Sequence, residues 1–476
     1  MGPETTLKPE GAQAAPQERL FTIEQAFEIA QAVHRDGRPA EAEPIYRVVL
    51  QARPEHVGAL GALGVARHQQ GDSEDALQWL RRALAVAPGE PGTWNNLGNV
   101  LLEAGRADEA AEAYEEAVRL APGLGDVHNN LGVLRRAQDR PVEAEAAYRR
   151  ALAIDPRSAE ALTNLGRLLH AVGRTEEAIV ALCEALLLRP DLIKARHALG
   201  MTYCMAGRLE EAAQVYRDWL AEEPDNPQAR HHLAACSGEG VPERAADAYV
   251  EKVFDGFAES FESKLAHLQY RAPQLIEQAL ADRLGPPQRV LDVLDAGCGT
   301  GLCGPLLAPR ARRLEGVDLS QGMLDKAAHR QVYDALAKAE LTDFLRDTGP
   351  DRYDLIVSAD TLCYFGALQD VLDAAARALR PQGWLFFTLE ALAGDGPAGF
   401  QLQPHGRYSH REAYVRVALA SAGLNGVAME RAHLRMESGK PVEGWVVSCT
   451  KEAEEVQGAP GRGAEPVQYP GHSLAS

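Results

Sequence analysis

"LDAGCGTGLCG", residues 294–304, sets four glycines and two cysteines behind an acidic residue. The apolar run feeding it, "RVLDVLDAGC", reads as a buried strand that turns sharply where glycine lets backbone approach a ligand. Outward from it, "LCGPLLAPRARR" reads as a helix, "LEGVDLS" as a strand and "QGMLDKAAHR" as a helix. "ALAKAEL", "YDLIVSAD" and "GWLFFTLEA" give further strands, "ALQDVLDAAARAL" and "REAYVRVALASAG" further helices, and two strands near 426–435 and 442–450 close the series. This alternation predicts a doubly wound sheet with helices on both faces. Ligands of such sheets bind beyond the carboxyl ends of the strands, at the switch point, and the glycine bend falls there.

The 476 residues allow two or three domains, and 46% hydrophobic with 25% charged residues is ordinary for globular protein. A net charge of −19 argues against a nucleic-acid backbone as main partner, because such partners require basic surface. Seven dispersed cysteines without a CxxC pair suggest reduced thiols. No apolar run is long enough to span a bilayer, so the expectation is a cytoplasmic protein without a membrane partner. Arginine far outnumbers lysine and alanine is abundant, which suggests a GC-rich bacterial genome.

The first half repeats itself every 34 residues. Gly64, Gly98, Gly132, Gly166 and Gly200 form one comb, Pro54 through Pro224 a second, and Ala42 through Ala212 a third. "WNNLGNVLLEAGRADEAAEAYEEAVRLAP" shows the unit: a helix with a Leu-Gly pair, a turn at Gly105, a second amphipathic helix, then proline. It resembles the tetratricopeptide repeat, in six copies followed by a capping helix, a solenoid over 23–236. The first copy has Ala30 where glycine is expected, and the last has Trp219 where alanine is usual. Stacked repeats leave a concave groove suited to an extended peptide. Asn96, Asn130 and Asn164 recur at one repeat position; their amides could grip a peptide backbone or stabilise contacts between repeats. Residues 237–246 read as a linker and 247–451 as a second domain. The stretches 1–22 and 452–476 read as polar, disordered tails.

Four features bear on what the glycine bend holds. Asp295 stands two residues before the first glycine, where dinucleotide dehydrogenases carry a small or apolar residue. Asp318 ends the next strand, where a carboxylate can accept both ribose hydroxyls. Glu340, in the "AEL" that ends the third strand, could accept from an adenine amine. "LRPQGWLFF" gives a helix end, a glycine turn and a strand. No GK[ST] follows the bend, which excludes a P-loop, and Cys298 and Cys303 lack two further nearby ligands, so no metal is expected.

With "DAGCGTG", "GVDLSQGML", "AEL" and "LRPQGWLFF" in this order, residues 290–390 resemble a class I S-adenosylmethionine (SAM)-dependent methyltransferase. The whole chain resembles a bacterial group in which tetratricopeptide repeats precede such a domain, with "FDGFAESFESKLAHLQYRAP" and "GRYSHREAYV" among its recurrent segments. The resemblance implies an all-α solenoid followed by a Rossmann-like α/β domain with a mostly parallel seven-stranded sheet. It places Gly297, Gly299 and Gly301 against the methionine moiety, Asp295 at the loop and amino group, and Asp318 on the ribose. Leu319 and Met323 would flank adenine, with Glu340, in place of a commoner aspartate, and Leu341 on its polar edge. Asp360 would face the methionine end, and Phe254, Phe261 and Tyr270 would form a lid.

A sulfonium-borne methyl group is electrophilic, so such a site mainly aligns a nucleophile. A general base is needed only if the acceptor arrives protonated. Tyr408 and His410 are the candidates for that role, with His405 and Tyr364 beside them, and Arg407 could bind an acidic group on the acceptor. The favoured reading is methyl transfer to a protein or carrier-bound small molecule recruited by the repeat groove. The alternatives are a small-molecule methyltransferase using the repeats for assembly alone, and a non-catalytic scaffold.

Overall fold

The computed structural model describes residues 21–452 except 257, 259, 260, 395, 438 and 439. The tails expected at 1–22 and 452–476 lie almost wholly outside the described residues. The chain divides into two compact units after Leu199. Helices α1 (Ile23–Arg35), α2 (Pro39–Ala52), α3 (Val57–Gln69), α4 (Ser73–Val86) and α5 (Pro91–Glu103) open the first unit. It continues through α6 (Ala107–Leu120), α7 (Gly125–Ala137), α8 (Pro141–Ile154), α9 (Ala159–Ala171) and α10 (Thr175–Leu188), and α11 (Ile193–Met205) crosses the division.

Each comb has a steric cause. A Cβ on Gly98 would stand 2.5 Å from the Tyr114 ring, on Gly132 2.6 Å from Tyr148, and on Gly166 2.6 Å from Leu182. The large side chain of each second helix thus lies on the bare backbone of the first. The comb alanines Ala42, Ala76, Ala110, Ala144, Ala178 and Ala212 are fully buried. The residue before each comb proline leaves helical backbone, as Arg53 (φ −138°, ψ 88°) and Ala121 (φ −142°, ψ 80°) show, because proline crowds a helical neighbour. The turn within a repeat needs a left-handed residue, and Asp139 (φ 56°) takes the place that Gly105 holds one repeat earlier.

The second unit holds α12 (Leu209–Glu222), α13 (Pro227–Ser237), α14 (Asp247–Asp255), α15 (Phe261–His267) and α16 (Ala272–Leu284). Trp219 is fully buried against Ala229 of α13, so the bulky residue of the last repeat fills the seam under the capping helix. The stretch before Pro273 forms two helices, α14, which ends at Gly256, and α15. Residues 237–246 do not run free. The Glu243 carbonyl accepts from the Gly366 and Ala367 amides at 2.8 Å each, and the Ala245 amide donates to the Tyr364 carbonyl at 2.8 Å.

The sheet comprises β1 (Leu291–Ala296), β2 (Ala311–Asp318), β3 (Ala335–Lys338), β4 (Tyr353–Ser358) and β5 (Leu379–Ala391), parallel in the order β3-β2-β1-β4-β5. A short hairpin, β6 (Phe400–Leu402) and β7 (Tyr408–His410), extends the end of β5; β8 (Leu424–Glu437) and β9 (Lys440–Lys451) follow, β9 running antiparallel to β5 and β8 to β9. The seven expected strands are present, and the hairpin adds two. Crossover helices α17 (Gly304–Leu307), α18 (Gln321–Ala328), α19 (Leu341–Asp347), α20 (Gln369–Ala378) and α21 (Glu412–Ser421) complete the unit.

Two elements differ from expectation. The helix read over "LCGPLLAPRARR" shrinks to α17: Pro309 offers no amide to continue it, and Arg312 and Arg313 already belong to β2. The glycine turn of "LRPQGWLFF" lies inside β5 as an irregularity, with Gln382 at φ 64°. Apolar residues pack on both faces: Val293, Leu355 and Phe386 meet Ile276 and Leu280 of α16, while Leu294, Ile356 and Phe387 meet Leu372 of α20 and Leu419 of α21.

Candidate functional site

The carboxyl ends of β1, β2 and β4 open into a cavity of about 290 Å³. Its floor is the glycine bend, where the Gly297 and Cys298 amides both donate to the Val317 carbonyl at 2.9 Å. Three acids fan around it. Asp318, at the end of β2, accepts from the Gly299 amide and from the Ser320 amide, at 2.9 Å each. Burial raises its pKa, opposed by the backbone amides of Ser320, Gly299 and Leu319. Asp295, 1% exposed, accepts from the Tyr333 hydroxyl at 2.6 Å. Burial lifts it to about 7, the Tyr333 hydrogen bond opposes this, and the Asp318 charge adds to it.

Asp360 follows β4 in left-handed backbone (φ 58°), its amide held by the Thr388 hydroxyl at 2.9 Å. Its carboxylate accepts from Arg435 Nη1 at 3.0 Å. Arg435, nearly inaccessible, also donates through Nε to Glu437 at 2.9 Å and through Nη2 to Glu390. Arg407 Nε reaches Glu390 at 2.6 Å, and its Nη2 bonds Glu437. Burial would raise Glu390, but the charges of Arg407, His405 and Arg435 outweigh it and hold the acid at about 2.

Of the expected cofactor residues, Asp295, Gly297, Gly299, Asp318, Leu319, Glu340, Leu341 and Asp360 all line this cavity. The Glu340 carboxylate already accepts from the Asp343 amide at 2.9 Å as N-cap of α19, and from the Thr342 hydroxyl at 3.1 Å. The three glycines do different work. A Cβ on Gly297 would fall 2.1 Å from the Thr361 hydroxyl, and one on Gly301 2.9 Å from the Tyr333 ring, so both admit protein. Gly299 alone faces open space, the nearest atom being Phe261 Cε1 at 4.0 Å. Gly301 therefore does not line the cavity. Met323 does not either: it is fully buried in the first turn of α18, whose phase turns it inward.

The expected acid–base pair is also displaced. The fully buried Tyr408 donates its hydroxyl to the Pro242 carbonyl at 2.8 Å and packs beside Ala234 and Ala235 of α13. His410 is fully buried, its Nε2 3.1 Å from the Gly366 carbonyl, and burial lowers it to about 4. Neither lines the cavity, because β7 is consumed in holding the hairpin to its neighbours. His405 is likewise pushed down by burial and by Arg407, to about 4, and stays neutral near pH 7 beside Glu390. Tyr364 and Arg407 do line the cavity.

Phe254, Phe261 and Tyr270 form the opposite wall, with Phe254 stacked edge-on to Phe261 and to Tyr364 (6.1 and 5.5 Å between ring centres). Polar ties hold that wall in place. Asp255 accepts from the Ser320 hydroxyl and the Gly322 amide, Lys338 meets Glu251 at 2.6 Å, and Arg330 meets Glu262 at 2.6 Å. Sequence reasoning missed Tyr333, Arg435, Glu390 and Glu437, which reach the site from distant strands and loops and carry no local motif. The asparagine comb runs between repeats: Asn164 donates to Asn129 at 3.0 Å, Asn130 to Asn95 at 3.0 Å and to Asn99 at 3.1 Å. Asn96 is half-buried on α5. The amides of Asn130 and Asn164 thus make contacts between repeats, one of the two roles open to them.

Residues 265–428 match the family model described as a methyltransferase domain, and tetratricopeptide-repeat models match 27–91, 90–157, 125–190 and 169–236. The chain is 37% identical over 107 residues to methyltransferase-like protein 27 of Homo sapiens, covering 22% of this chain and 42% of that protein. It is 26% identical over 173 residues to a ubiquinone biosynthesis O-methyltransferase of Idiomarina loihiensis, covering 33% and 68%. It is 29% identical over 165 residues to a malonyl-[acyl-carrier protein] O-methyltransferase of Priestia megaterium, covering 34% and 56%. The chain thus spans about half the length of these relatives. No helix among the described residues is long and apolar enough to cross a membrane. On these matches and this fold, the chain is a tetratricopeptide-repeat protein with a methyltransferase domain.

Proposed function

We propose that the domain binds SAM in this cavity and transfers its methyl group to an acceptor recruited by the repeats. The observation that carries the reading is the Gly299 bend: bare backbone bordering open space, with Asp318 bonded to it and Asp295 and Asp360 on either side. When bound, SAM supplies an electrophilic methyl group on a sulfonium. Asp318 would hold the ribose: a carboxylate has about four lone-pair sites, and two accept backbone amides. Asp295 would receive the amino group, and Leu319, Glu340 and Leu341 would frame adenine. Arg435 fixes the Asp360 carboxylate at the methionine end, and the Tyr270 and Tyr364 rings wall off water where an acceptor would enter.

Two relatives are named for ubiquinone biosynthesis and for a malonyl-[acyl-carrier protein], which supports an acceptor that is small or carrier-bound. The first test is titration calorimetry of the full chain with SAM. We expect saturable binding below millimolar concentration and a loss of about 1.5–3 kcal/mol in Asp318→Ala. Absence of heat with SAM, or preferential binding of NAD, refutes the reading. Methyl-labelled SAM with lysate fractions then identifies the acceptor, and deletion of 1–240 shows whether the repeats are needed to present it.

A further inference from the structure

At the opposite end of the sheet, where β1, β2, β4 and β5 begin, lies a second cavity of about 360 Å³. Its lining is cationic. Arg312 and Arg380 meet over Asp292: Arg312 donates through Nε at 3.1 Å and Nη2 at 2.6 Å, and Arg380 through Nη2 at 2.8 Å. Arg313 and Arg352 meet over Glu315, the first through Nε and the second through Nη2, each at 2.7 Å. Arg380 Nη1 also reaches Asp354 at 2.7 Å, and the Tyr353 hydroxyl donates to the other Glu315 oxygen at 2.6 Å. Asp292 stands opposite Arg313 on the neighbouring strand, so the two pairs of arginines lie side by side.

The acids form the floor of this cavity and the cations its rim. The Asp292 and Glu315 side chains are 16% and 10% exposed, those of Arg312 and Arg313 60% and 54%. A solute arriving from water therefore meets guanidinium groups first. Four arginines meet three carboxylates, a positive excess in a chain of net charge −19. Nor do the acids use up the donors. Among the described residues, neither Nη group of Arg313 has a partner, and Nη1 of Arg312 has none. Ion pairs this exposed contribute little to stability, so folding does not account for gathering four arginines on one rim.

We infer that this rim binds a diphosphate, either free pyrophosphate or the diphosphate of a nucleotide. A guanidinium group presents a planar fork of N–H donors that fits two oxygens of one phosphate. The Arg312–Arg380 pair would take one phosphate and the Arg313–Arg352 pair the other, whereas a single phosphate engages one pair only. The recessed carboxylates hold the forks in place before the ligand arrives, which lowers the entropy lost on binding. The site stands apart from the cavity at the carboxyl ends of the strands, and the inference is independent of what that cavity holds.

The test is titration calorimetry of the full chain with inorganic pyrophosphate in magnesium-free buffer at low salt. Saturable binding is expected, at least roughly tenfold tighter than that of inorganic phosphate and weakening as salt rises. Arg312→Gln removes a rim cation while Asp292 keeps Arg380, so the melting temperature should hold while pyrophosphate binds at least roughly tenfold more weakly. Arg312→Lys keeps the charge without the fork and should fall between the two. Arg313→Gln gives the same reading from the other pair, should the first variant fold poorly. Uridine diphosphate binding more tightly than pyrophosphate would assign the site to a nucleotide, and weaker binding to the free anion. Absence of saturable heat with pyrophosphate, equal affinity for phosphate and pyrophosphate, or parental affinity in both glutamine variants would overturn the inference.

Discussion

Asp295→Asn is the substitution whose outcome differs most between stability and binding. The buried carboxyl sits at about 7 against an ordinary 3.8, a gap worth roughly 4 kcal/mol at 1.36 kcal/mol per pH unit, taken as an upper bound. The folded value is the raised one. The stabilisation from a protonated Asp295 is therefore complete below pH 4 and is lost as pH rises through 7. Asparagine keeps an acceptor for the Tyr333 hydroxyl and never ionises. The variant's second unit should consequently melt at a higher temperature than the parent at pH 8, and this gap should close toward pH 5. Binding should move the other way. If the SAM amino group meets an ionised Asp295, complex formation expels a proton from the half of the molecules still protonated at pH 7. Calorimetry in buffers of different ionisation enthalpy should read about 0.5 proton released per SAM at pH 7 and about 0.1 at pH 8. The asparagine variant has no such proton to release and should bind more weakly above pH 7. Equal proton release by parent and variant, or a stability difference independent of pH, would refute the assignment.

Gly297→Ala should destabilise the second unit by about 2–4 kcal/mol, summing left-handed strain and the collision with Thr361. Thr361→Gly in the same chain should return the collision part, which thermal melting would show. Arg435→Met removes the cation shared by Asp360, Glu390 and Glu437 and should cost about 3–5 kcal/mol, with melting of the repeat unit unchanged. Asp255→Ala removes the acceptor for Ser320 and Gly322 and so loosens α14 over the cavity. Stopped-flow measurement should show SAM leaving several-fold faster, with a stability loss near ~1 kcal/mol.

What could be read in advance was set by local sterics. The 34-residue combs record places where only glycine, alanine or a helix-ending proline fits, and the central strands are long apolar runs because both faces are covered. The bend and its acids were legible because the strand end, the glycine and the carboxylate are contiguous in sequence. The charge cluster was not: Arg435 meets Asp360 across 75 residues and Glu390 across 45, a convergence fixed by β8 and β9 folding back beside β5. "QPHGRYSH" misled for a related reason. Its tyrosine and histidine look like solvent-facing chemistry, but the segment forms a hairpin between the sheet and α13, where the Tyr408 hydroxyl and His410 Nε2 meet backbone carbonyls. Met323 failed by helix phase: Ser320 caps α18 by accepting from the Met323 amide, and that start turns the methionine side chain into the core.

The unequal treatment of the three acids is itself an argument about what the cavity is for. Asp360 is balanced within the protein by Arg435. Asp295, buried, and Asp318, half-buried, stand at the ends of adjacent strands and repel one another, and the described residues give neither an ion-pair partner. Two such carboxylates weaken the fold at neutral pH, a cost that packing alone would have removed by placing an amide or an apolar side chain there. A ligand bearing an ammonium group and a diol on one nucleoside relieves both: it brings a positive charge to Asp295 and two hydroxyl donors to Asp318. NAD would supply the diol but would bring a pyrophosphate toward Asp295, adding negative charge where burial already disfavours it. If the domain binds SAM as proposed, the charge on that one aspartate is what would favour it over NAD.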